Sequence, residues 1–226
     1  MKKKLVVLCL ALLVGISLLA CGAPSSTASQ PASPSGEIEA TTFMGKNLTP
    51  LKDQRNNALA GTQTIDRATY RLTVTGLVNT PLSLSYDDLL ALPQVSKLMD
   101  LDCVEGWSFT AKWTGPTLKS IFAKAGVKPE GQNVVFSSTD VPGGYSSLLL
   151  NYVTDNDIIL GMKINDLTLP AERGFPFQVV AESKYGYKWA KWITGIELSS
   201  DLNFKGYWES YGYSNNGAAG GRAMDP

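Results

Sequence analysis

Hydrophobic positions along this chain change their period several times, and each change marks an element. Leu5 to Ala20 is an almost entirely apolar stretch of sixteen residues behind Lys2-Lys3-Lys4. It is short for a membrane span and has the shape of a secretory signal. "GAPSSTASQPASPSG" (Gly22 to Gly36) follows, too polar to build a core, and reads as a tether. "TYRLTVTGLV" (Thr69 to Val78) alternates and is β-branched, which predicts a strand ending at a glycine. After the turn Asn79-Thr80-Pro81, "LSYDDLLALP" predicts a short capped helix stopped by Pro93. Val95 to Val104 predicts a strand that delivers Cys103 at its end. "GPTLKSIFAKAG" (Gly115 to Gly126) sets Leu118, Ile121 and Phe122 at helical spacing, with Pro116 near its start and Gly126 as a stop. "NVVFSST", "SSLLLNYV", "FPFQVVAE" and "WITGIELS" read as strands. Neither βαβ alternation nor a glycine-rich phosphate loop occurs, so the expected class is α+β, with mixed sheets and a few short helices.

The organisation expected is a signal over 1–21, a tether over 22–39, one folded domain over 40–214 and a flexible Gly-rich tail over 215–226. Loss of Met1–Cys21 removes three lysines and no acid, leaving 17 basic and 20 acidic residues, a net charge of −3. That balance gives no electrostatic case for nucleic acid.

Chemistry narrows on one thiol. Of the three cysteines, Cys9 lies in the signal and Cys21 at its end, which leaves Cys103 as the sole thiol of the domain. It has no partner for an intramolecular disulfide. Its role stays open between a small buried residue, a nucleophile and a metal ligand. The chain has no histidine, which removes Ser-His-Asp triads, His-activated cysteines, HExxH zinc sites and CxxCH haem attachment. A protein-only zinc site lacks the necessary ligands. One thiolate can still complete the coordination of a metal that arrives with its own sulfur ligands.

Two resemblances sharpen this reading. Leu18-Leu19-Ala20-Cys21 resembles the lipobox of bacterial lipoproteins, which implies lipidation of Cys21, a membrane held through a lipid anchor, and the extracytoplasmic face as location. "DLDCVEGWSFTAKWTGPTLKSIFAKAG" resembles the molybdenum-binding segment of the sulfite oxidase fold family, closest to the branch of the bacterial periplasmic methionine sulfoxide reductase catalytic subunit. "GGYSSLLL", "ERGFPFQVVAE" and "KYGYKWAKWITGIEL" follow in the family's order, so the likeness spans roughly Thr69 to Ser199.

The resemblance implies a Mo-molybdopterin cofactor with Cys103 as the metal ligand and Tyr145 close to the metal. It nominates Ser138, Arg173, Gln178, Lys188, Trp189, Ala190 and Lys191 for cofactor binding, the lysines and backbone of 188–191 holding the pterin phosphate. Trp107 belongs either to the core or to the pterin side of the pocket. The chain departs from the pattern at Arg173, where relatives carry His or Asn, and at Gln178, where they carry Arg. "FMGKNLTP" is a faint match to an Arg-Asn-His stretch, with Lys46 and Asn47 as remnants. The basic n-region contains no arginine pair.

The implied function is two-electron oxygen-atom transfer on a small-molecule substrate. Electrons would be exchanged with a separate partner, such as a membrane subunit. A cofactor-free lipoprotein binding a ligand or partner through the same fold is the alternative.

Overall fold

The computed structural model describes residues 36–225. The signal, Cys21 and most of the tether lie outside the described residues. The chain opens with a small hairpin of β1 (Thr42–Phe43) and β2 (Lys46–Asn47), then β3 (Leu72–Gly76), β4 (Leu82–Leu84) and helix α1 (Tyr86–Leu90). A long hairpin of β5 (Gln94–Asp102) and β6 (Ser108–Pro116) leads into α2 (Leu118–Ala125). A second hairpin of β7 (Asn133–Ser138) and β8 (Val141–Leu149) runs into α3 (Leu150–Asp155). Short strands β9 (Ile159–Gly161), β10 (Lys163–Ile164), β11 (Leu167–Thr168) and β12 (Gln178–Val180) precede β13 (Ile193–Ser199) and the one-turn helix α4 (Tyr207–Ser210).

Two sheets organise these elements into an α+β fold. The first has the order β4-β3-β13-β7-β8, in which β3 and β13 run parallel and the other pairs antiparallel. The second is β11-β10-β6-β5, and β12 pairs separately with β9. Alternation decides which faces are buried. Leu72 and Val74 of β3 are sealed while Thr73 and Thr75 face out, and Phe109, Ala111 and Trp113 of β6 point inward. Trp113 packs against Trp189 with ring centroids 5.7 Å apart, which joins the second sheet to the segment before β13.

The helix ends follow local chemistry. Ser85 and Asp88 form a capping box on α1, and the Thr117 hydroxyl accepts the Ser120 N–H at 3.1 Å to start α2. Gly126 closes α2 at φ 66°, a conformation costly for any residue with a Cβ.

Three expectations change. "SSLLLNYV" is not one strand: β8 stops at Leu149 and α3 begins at Leu150. Its partner β7 starts at Asn133, opposite Leu149, so no ladder exists beyond that point, and the Leu150 N–H turns onto the Gln132 carbonyl at 2.8 Å. The folded body begins before residue 40, because Glu37 accepts from Thr168 N at 2.6 Å and Glu39 from Leu51 N at 2.6 Å. The tail from 215 is not frayed: Gly217 O accepts Tyr185 N at 2.8 Å, Ser214 N donates to Ala223 O at 2.9 Å, and Asp225 N to Gly212 O at 3.0 Å. Glycine there serves close packing. A Cβ on Gly217 would stand 2.6 Å from Lys188 Cγ.

Candidate active site

Cys103 sits where the β5–β6 hairpin turns. The last ladder pair is Asp102 with Ser108, so residues 103–107 form the loop. The loop is closed by Cys103 N donating to Trp107 O at 2.8 Å and Gly106 N to Cys103 O at 3.0 Å. Gly106, at φ 83°, permits the turn. A parallel bridge from Asp102 to Tyr185 then draws the 185–191 segment alongside. The thiol is half-buried at the wall of a cleft of about 120 Å³, which it shares with Tyr145, Arg173, Gln178 and Lys191.

Burial pushes the Cys103 thiol upward and the Glu105 charge adds to this, while the backbone N–H groups of Glu105 and Val104 and the Arg55 charge pull the other way. The net direction is up, so no activated nucleophile is built here. A bound metal would instead deprotonate the sulfur on coordination. Among the described residues, no cluster of three or more Asp, Glu, Cys or His side chains could hold a metal unaided.

The cations of the cleft have an unusual set of partners. Arg173, at the end of the short 3-10 turn Ala171–Arg173, is buried and donates to the carbonyls of Arg55 at 2.8 Å and Gln54 at 2.5 Å. Lys191 donates to Asn56 Oδ1 at 2.9 Å, to Glu172 O at 3.3 Å and to Asn57 O. These hydrogen bonds run to neutral oxygens. Burial accordingly lowers Arg173 to about 10 and Lys191 to about 8, the latter helped by the Arg173 charge. Arg55 adds an exposed guanidinium to the same wall.

Other nominated residues divide. Tyr145 of β8 lies on the cleft, its phenol hydrogen-bonded to the Trp208 side chain and pushed up by burial. Gln178 lines the cleft and donates to the Trp189 carbonyl at 3.2 Å. Trp189 lines it too, though its N–H already donates to Gly186 O at 3.0 Å. Trp107 does both jobs left open for it: it stacks on Phe109 at 6.3 Å and faces the cleft, with Nε1 donating to Glu105 at 2.9 Å.

Lys188, Ala190 and Ser138 do not line the cleft. Lys188 is fully sealed, its ammonium 2.6 Å from Glu209 Oε1. Ala190 is fully buried, its carbonyl accepting the Val179 N–H at 2.8 Å. The Ser138 hydroxyl stands 2.6 Å from Lys191 O and 2.5 Å from Asp140 Oδ1. Lys46 and Asn47 are exposed on the β1–β2 hairpin, away from the cleft.

Sequence reasoning missed Arg55, Asn56 and Asn57, which strap across the cleft, and Trp208 and Tyr213, which wall its far side. The signal for the first set was present, since an Arg-Asn pair stands at Arg55-Asn56, nine residues beyond the weaker match at Lys46-Asn47. No local signal marked the second.

The cleft thus brings one soft sulfur donor together with the buried cations Arg173 and Lys191. The chain belongs to the family described as the oxidoreductase molybdopterin binding domain, which matches residues 59–208. The uncharacterized oxidoreductase YuiH of Bacillus subtilis is 35% identical over 153 residues, 67% of this chain and 76% of that protein. The protein-methionine-sulfoxide reductase catalytic subunit MsrP of Campylobacter jejuni is 25% identical over 199 residues, 81% of this chain and 66% of that protein. Among solved structures, the sulfane dehydrogenase SoxCD of Paracoccus pantotrophus superposes with a TM-score of 0.59 at 26% identity, over 62% of this chain and 41% of that one. The chain spans 49% to 76% of the length of the curated relatives it matches.

Membership makes Mo-molybdopterin the cofactor of the site, and the residues present fit it. Cys103 supplies a soft thiolate for a sulfur-bound metal. Lys191, Arg173 and Arg55 would offer positive charge to the anionic pterin, the first two buried on the cleft wall.

Proposed function

We propose that the protein is a molybdopterin-dependent oxidoreductase that transfers one oxygen atom to or from a small substrate, held on the extracytoplasmic face of the membrane by a lipid on Cys21. The observation that carries it is the placement of the domain's sole thiol on the wall of a cleft that also holds the buried cations Arg173 and Lys191. Relatives named as methionine sulfoxide reductase subunits support a sulfoxide–thioether pair as substrate. Reduction of a sulfoxide takes two electrons and two protons and yields the thioether and water. The bound cofactor supplies the two-electron redox centre at which the oxygen atom is exchanged.

The chain's own residues do the rest. Cys103 tethers the metal, Lys191 and Arg173 orient the pterin's negative charges, and Trp107 and Trp208 narrow the cleft against bulk water. The Tyr145 hydroxyl, raised far above neutral, stays protonated and donates a hydrogen bond toward a substrate oxygen. Electrons come from a separate partner, in keeping with relatives described as subunits.

The test is molybdenum analysis of protein purified from a pterin-competent host. Near-stoichiometric molybdenum in the wild type is expected. A folded wild type free of molybdenum under those conditions discards the proposal in favour of a binding lipoprotein.

A further inference from the structure

The ion pair of Lys188 and Glu209 has no part in the chemistry above, yet both side chains are completely sealed from solvent. Glu209 Oε1 receives the Lys188 ammonium at 2.6 Å and the Ser146 hydroxyl at 2.5 Å. Its Oε2 has no hydrogen-bond partner among the described residues. Taking two charges out of water is expensive, and an apolar pair of similar volume generally stabilises a fold at least as well. What an apolar pair lacks is direction. The three groups that meet here each adjoin a residue of the cleft wall: Ser146 follows Tyr145, Glu209 follows Trp208, and Lys188 lies between Tyr187 and Trp189.

The packing is too close to be incidental. A Cβ on Gly206 would stand 2.2 Å from the Tyr145 carbonyl oxygen, and one on Gly217 would stand 2.6 Å from Lys188 Cγ. The C-terminal segment is thus pressed against β8 on one side and the 186–188 turn on the other.

We infer that Glu209 is a positioning residue: by gathering Lys188 and Ser146 onto one carboxylate, it holds Tyr145 and Trp208 in place around Cys103. It touches neither substrate nor cofactor and acts through those two side chains. The activity part of this inference rests on the proposed oxidoreductase function; the geometric part does not.

The test replaces the pair by apolar residues, Lys188→Met with Glu209→Leu, and follows two readouts. In molybdenum-loaded protein, methyl phenyl sulfoxide is reduced to the sulfide with reduced benzyl viologen as electron donor, the oxygen leaving as water. The variant should fold and carry the wild-type content of molybdenum, with kcat about tenfold lower and KM little changed. In metal-free protein, iodoacetamide should alkylate Cys103 about fivefold faster, because the wall that shields it has loosened. Ser146→Ala, which removes one donor and leaves the ion pair, should shift both readouts the same way by less, and decides the matter if the double variant does not fold. Wild-type kcat and wild-type alkylation in a folded variant overturn the inference. If the wild type holds no molybdenum, the proposed function fails while the alkylation rate still passes or sinks the positioning role.

Discussion

Cys103 and Lys191 show how single groups read once their surroundings are known. A thiol pushed up by burial stays protonated at neutral pH, so in metal-free protein its alkylation at pH 8 should run slower than that of free cysteine and accelerate as pH rises. A rate above that of free cysteine would argue for an activated nucleophile. Lys191 provides a signed pH effect. Burial lowers its ammonium from 10.5 to about 8, so between those values the unfolded chain holds the proton more firmly than the folded one. Stability therefore rises with pH across that window. Relative to Lys191→Met, metal-free wild type should gain at most about 3 kcal/mol between roughly pH 8 and pH 10, seen as a widening difference in melting temperature. A constant difference would contradict the placement of Lys191 among neutral acceptors. The two lysines of "KWAK" looked alike in sequence. Only the fold separates them, because Lys188 finds its carboxylate 21 residues onward, in a segment with no local sign of structure.

At the scale of elements, patterns with a period were legible and contacts without one were not. The strand that ends at Asp102 just before Cys103, the capped helix at Ser85 and the Gly126 stop all follow from spacing and capping chemistry. The corner at Leu149–Leu150 was hidden because a run of three leucines suits strand and helix equally, and the missing partner strand decides it. The strap at Arg55–Asn57 and the pinned tail are irregular backbone held by side chains, which leaves no periodic trace. Gly206→Ala tests the tail's seat directly. Its Cβ would meet backbone that cannot rotate away, so a loss of about 2 kcal/mol and a fall of several degrees in melting temperature are expected. An unchanged melting temperature would mean the segment is not pressed against β8.

For the whole molecule, the family match and the cleft do not coincide. The match covers 59–208, which includes Cys103, Tyr145, Arg173, Gln178 and Lys191. The strap before residue 59 and Tyr213 beyond 208 complete the enclosure from outside it. The matched body of the domain thus carries Cys103, and the flanking segments supply the rest of the cleft wall. The central claim is that Cys103 bonds the molybdenum of the bound pterin. X-ray absorption at the molybdenum edge of purified holoprotein tests it most directly, comparing wild type with Cys103→Ser. Loss of one sulfur from the metal's coordination shell in the variant is the expected result; an unchanged sulfur count in metal-loaded variant would contradict it.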